Sequence, residues 1–117
     1  MEKITTFEDV FNRMIETFKG TRVEVLTRRE GISLARLSTR VDRVTINPVE
    51  CTANGKKIGV ISIQKKINNH FETAANIPFI LGFDTMQAYF TEKGSLIKTL
   101  DLEFKIRNTA EKKRRLA

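Results

Sequence analysis

The chain of 117 residues contains one cysteine, Cys51, and one histidine, His70. A single cysteine excludes an intrachain disulfide, which suits a reducing compartment, and one of each is too few for a zinc site of usual composition. No flanking signature marks Cys51 and His70 as nucleophile and base. Glycine-rich phosphate loops, HExxH and GxSxG are also missing. The carboxylates are scattered, and Asp101 and Glu103 alternate onto the same strand face as Lys105 and Arg107. That pattern describes a solvated sheet surface rather than a paired-carboxylate or two-metal site. These absences argue against an enzyme, and no cofactor or metal is expected. No apolar run approaches the roughly 20 residues needed to span a bilayer, and the amino-terminal MEKITTFEDVF lacks the apolar core of a secretory signal. A cytoplasmic protein with no membrane partner is expected.

What the chain does have is positive charge, unevenly placed. The net charge is +7. Residues 21–67 carry ten basic side chains against four acidic ones: Arg22, Arg28, Arg29, Arg36, Arg40, Arg43, Lys56, Lys57, Lys65 and Lys66 against Glu24, Glu30, Asp42 and Glu50. Residues 1–20 and 68–109 are each slightly acidic, and the tail 110–117 adds a basic run. A localised excess of this kind attracts a polyanion by steering and counterion release, although basic surfaces also serve solubility and lysines guard sheet edges.

The periodicities predict a mainly β domain over 1–109 with an N-terminal amphipathic helix. Phe7, Val10, Phe11, Met14, Ile15 and Phe18 recur at helical spacing, with Thr5–Glu8 or Thr6–Asp9 as capping pair and Gly20 at the exit. The stripe is a core or dimer element. Val23 and Val25 alternate with charged residues, and Arg28-Arg29-Glu30-Gly31 supplies a hairpin turn into a strand through Ile32, Leu34, Leu37, Thr39 and Val41. Val44 and Ile46 fall on the opposite parity, which suggests a bulge or bend, and Asn47-Pro48 ends that strand. Asn54-Gly55 is the strongest turn signal. Residues 68–83 read as loop-like, Asp84 caps a short helix through Phe90, and Leu96, Lys98, Leu100, Leu102, Phe104 and Ile106 share one parity in a closing strand over 95–107. Residues 110–117 form a basic tail.

Cations borne on strands rather than on a helix favour a single polynucleotide strand over duplex readout. The bent early strands, the Asn54-Gly55 hairpin, the helix before the last strand and the final strand together resemble bacteriophage single-stranded DNA-binding proteins of the oligonucleotide-binding (OB) fold. The resemblance implies an OB-like curved five-stranded β-barrel that coats single-stranded DNA without sequence specificity, a role in phage DNA replication or recombination, and a homo-oligomer such as a dimer. Two departures stand out: the tail is basic where cellular members end in an acidic segment, and residues 21–67 contain no aromatic side chain. Phe71 and Tyr89 are the stacking candidates. RNA binding, or capture of an acidic protein partner by the same patch, are the alternative readings.

Overall fold

The computed structural model describes residues 2–53, 56–80 and 86–109. The first elements are a short strand β1 (Glu2–Ile4) and the helix α1 (Phe7–Phe18). Thr6 is the cap: its backbone is extended, and its Oγ1 accepts the Asp9 N–H at 3.4 Å while donating to Asp9 Oδ2 at 2.7 Å. Glu8 and Asp9 complement the positive end of the helix dipole. Thr6→Ala is expected to lower stability by about 1 kcal/mol, read as a shift in the urea midpoint at constant slope. Val10, Met14 and Phe18 are fully buried, so the predicted apolar stripe faces the chain's own core.

Eight more strands follow: β2 (Arg22–Arg29), β3 (Ile32–Arg40), β4 (Arg43–Ala53), β5 (Lys56–Ile67), β6 (His70–Ile80), β7 (Gln87–Phe90), β8 (Gly94–Thr99) and β9 (Leu102–Asn108). They form two antiparallel sheets, one of six strands in the order β1-β7-β8-β9-β2-β3 and one of three in the order β4-β5-β6. The inward faces of both sheets and the stripe of α1 share one apolar cluster, in which Val23, Val25, Ile97 and Ile106 of the large sheet join Ile61, Ile63, Ile77 and Phe79 of the small one. Polar links cross between them: Thr99 Oγ1 donates to the Pro78 carbonyl at 2.6 Å.

The mainly β class with one N-terminal helix is as expected, but the strand plan differs from a five-stranded barrel. The described strands number nine, in two sheets whose outer strands are β1 and β3, and β4 and β6. The parity change after Val41 is not a bulge within one strand. It is a corner where the chain leaves the large sheet for the small one, with Val41 fully buried and its N–H and carbonyl bonded to Thr21 O and Gly20 N at 2.8 and 2.7 Å. Pro48 does not end β4, which runs on paired to Gly59; an edge strand tolerates the missing N–H.

The segment read as loop-like is largely β6. Asn68 and Asn69, both at positive φ (48° and 69°), make the tight turn from β5, just as Glu30 and Gly31 (49° and 79°) do between β2 and β3. Asn54-Gly55, Asp84 and the tail 110–117 lie outside the described residues. The short helix expected through Phe90 is instead strand β7, with Ala88 and Phe90 inward and Gln87 and Tyr89 half-buried. The closing strand over 95–107 is two strands joined at Leu100-Asp101, where Leu100 takes a φ of 55°. That turn inverts the alternation: Ile97 and Thr99 are buried on β8, Phe104 and Ile106 on β9, and Leu96 and Lys98 belong to the opposite face.

Candidate nucleic-acid interface

Alternation sends every second residue of the six-stranded sheet away from the core, and the registers align those residues in rows. The longest row crosses all six strands: Lys3, Tyr89, Leu96, Lys105, Leu26 and Arg36 are successive neighbours. A second row holds Gln87, Lys98, Glu103 and Arg28, and a third Arg107, Glu24 and Ser38. Arg22 and Arg40 pair across β2 and β3 at the end of the same face. The face thus carries eight cations against two carboxylates, a net +6.

An apolar floor lies among the cations. A depression of about 680 Å³ is bounded by Tyr89, Leu96, Ile106 and Thr91, with Arg28, Lys93, Lys105 and Arg107 and one carboxylate, Glu103, among its lining. A smaller hollow of about 230 Å³ adjoins it, sharing Arg28, Lys105 and Arg107 and adding Glu24, Leu26 and Arg36. Leu26 is on the outer face yet only 8% exposed, with Lys105 and Arg36 as its neighbours on either side in the row. Arg107 is partly neutralised by Glu24 at 3.1 Å. Among the described residues, no carboxylate lies within ion-pair distance of Arg28, Arg36, Lys98 or Lys105. Their charge is directed at solvent, where a polyanion gains most from it.

The ten cations predicted as contacts do not share one surface. Arg22, Arg28, Arg36 and Arg40 lie on the outer face just described, and Tyr89 is on its central row. Arg29 alternates to the other face and pairs with Asp101 at 2.9 Å. Arg43 and Lys66 belong to the three-stranded sheet, where the Arg43 guanidinium lies 3.7 Å from the Phe71 ring centre. Lys65 is half-buried on β5, and the side chains of Lys56 and Lys57 lie outside the described residues. Cys51 does too, while His70 approaches Glu72 at 3.3 Å.

Sequence reasoning missed Lys3, Leu26, Leu96, Lys98, Lys105 and Arg107 as members of the face. Strand length was the signal for the last four. A single strand over 95–107 is about twice the usual five or six residues, and splitting it would have set Leu96 beside Lys105. No protein-family model, curated protein or solved structure matches this chain.

Proposed function

We propose that the chain binds single-stranded polynucleotide, DNA in the first instance, on the outer face of its six-stranded sheet. The observation that carries this reading is the central row, in which Tyr89 and Leu96 lie side by side between Lys3 and Lys105, and Leu26 lies between Lys105 and Arg36, along a face of net +6. Phosphates need the cations and bases need flat apolar ground, and single-strand binders provide both on one surface. Duplex readout is less suited: α1 has Glu8 and Asp9 in its first turn and no basic residue in its last. The reading does not require a closed barrel, since one open sheet supplies the contacts.

The same proposal includes the setting that the resemblance to bacteriophage single-stranded DNA-binding proteins implies, replication or recombination of phage DNA, and assembly as a dimer. The buried stripe of α1 is not available for that assembly. Ile32 and Leu34 of edge strand β3, 66% and 52% exposed, are apolar side chains that are.

The chain has one tyrosine and no tryptophan, so its intrinsic emission comes from Tyr89 alone. Titration with oligo(dT) is expected to quench that emission to saturation, with an affinity that falls steeply as salt is raised. Unchanged emission at low salt together with no binding by anisotropy would remove the proposal. Matched DNA and RNA oligonucleotides in competition decide between the two polymers.

A further inference from the structure

We infer that the bound strand continues past the edge of the large sheet, around the corner between β3 and β4, to a second stacking station formed by Arg43 on Phe71. This rests on the function proposed above and adds a place to it.

Four successive contacts trace the route. Arg22 and Arg40 are cross-strand neighbours at the end of the outer face. Arg40 reaches over the corner, its Nη2 donating to the Lys66 carbonyl at 2.9 Å. Lys66 is the cross-strand neighbour of Phe71, and Phe71 lies beneath Arg43. Arg22, Arg40, Lys66 and Arg43 therefore follow one another from the sheet face to the Phe71 ring, with the Asp42 carboxylate bound at the corner between Arg40 and the Lys66 N–H.

The station itself is built rather than incidental. With its central carbon 3.7 Å from the ring centre, the guanidinium is at van der Waals thickness, the separation of a flat-on stack. Arg43 Nε donates to Gln64 Oε1 at 2.8 Å, and Gln64 Nε2 donates to Thr73 Oγ1 at 3.2 Å. These three residues stand in one row across β4, β5 and β6, so the sheet itself holds the guanidinium. Neutral groups do the holding. The nearby carboxylates are engaged elsewhere, Asp42 with Arg40 and the Lys66 N–H, and Glu72 with His70. A planar cation, oriented but not neutralised, with its outer face exposed, suits a nucleobase, which stacks on guanidinium as on an aromatic ring. Shielding of an exposed phenylalanine by an arginine stem would need neither the hydrogen-bonded row nor the uncompensated charge.

Oligo(dT) of about 4 and about 16 nucleotides, the ends of the range for small single-strand binding domains, provides the test on the full chain. Arg43→Lys keeps the charge and removes the plane. It is expected to weaken the longer oligonucleotide about tenfold while leaving the shorter one and the salt slope unchanged. Phe71→Ala is expected to act in the same length-dependent way. In a Phe71→Trp chain, the only indole should be quenched by the longer oligonucleotide and not by the shorter, which already quenches Tyr89. If the variants bind both lengths as the unaltered chain does, the station is overturned while the sheet-face reading stands. If the unaltered chain binds neither length, both fall.

Discussion

Replacing Lys105 and Arg36 together with glutamate is expected to reduce the affinity for oligo(dT) about a hundredfold at low salt and to flatten its salt dependence by at least two powers of the salt concentration. The two side chains flank Leu26 on the central row, and no described carboxylate pairs with either. The double change lowers the balance of the face from net +6 to net +2 and puts negative charge beside the apolar floor. Arg29→Glu is the matched control. It alters the same total charge per substitution but acts on a residue of the opposite face already bound to Asp101, where exposed pairs contribute little. Anisotropy titrations at several salt concentrations read both quantities. Equal losses at Arg29 and at Lys105 would mean that total charge, not this surface, governs binding.

The second large effect concerns the core. Gly59 of β5 is opposite Phe79 of β6, and the Phe79 ring lies directly over the glycine, with Phe7 of α1 stacked at 4.8 Å and 19° from it. A Cβ at position 59 would meet Phe79 Cζ and stand 2.6 Å from its Cε2. Neither partner has room, because the ring is 1% exposed. Gly59→Ala is therefore expected to cost about 1–3 kcal/mol by overpacking, and Phe79→Ala about 3–5 kcal/mol by leaving a cavity. The two changes combined should cost less than their sum, since the added methyl enters the space the ring vacates. Urea unfolding of the four proteins closes the cycle. Strict additivity would show that the ring does not occupy the glycine's place.

The parts legible in the sequence were those whose signals are local. Thr6 with Asp9 and a stripe from Phe7 to Phe18 are enough to define a helix. Valines alternating into Glu30-Gly31 are enough to define a hairpin, because both depend on neighbours within a few residues. The parts that escaped depend on distant partners. Pro48 fits a strand only because β4 is an edge, and sheet order is not written in a local window. The turn at Leu100-Asp101 carries no glycine or asparagine, so its positive φ gave no sign, and two short strands of opposite parity passed for one long strand.

The candidate site suffered the same way. Charge counting found a basic region, but faces are set by register. Arg28 and Arg29 are adjacent in the chain and belong to opposite sides, whereas Arg28 and Lys105 are far apart in the chain and line the same depression. Tyr89 was a candidate from the start, yet its place on a cationic row follows from pairing with Lys3 and Leu96, which no spacing in the sequence reveals.

The brevity of the link between β8 and β9 has a consequence beyond its own geometry. With β9 held in register against β2, one residue more or fewer at Leu100-Asp101 would turn β8 over. Leu96 would then face the interior, and Ile97 and Ser95 would replace it on the outside. The hollow would lose its floor without any cation being altered. The length of this small loop is thus as strong a constraint on what the surface can hold as any charge on it, and a relative with a longer loop would be expected to bind something else, or nothing.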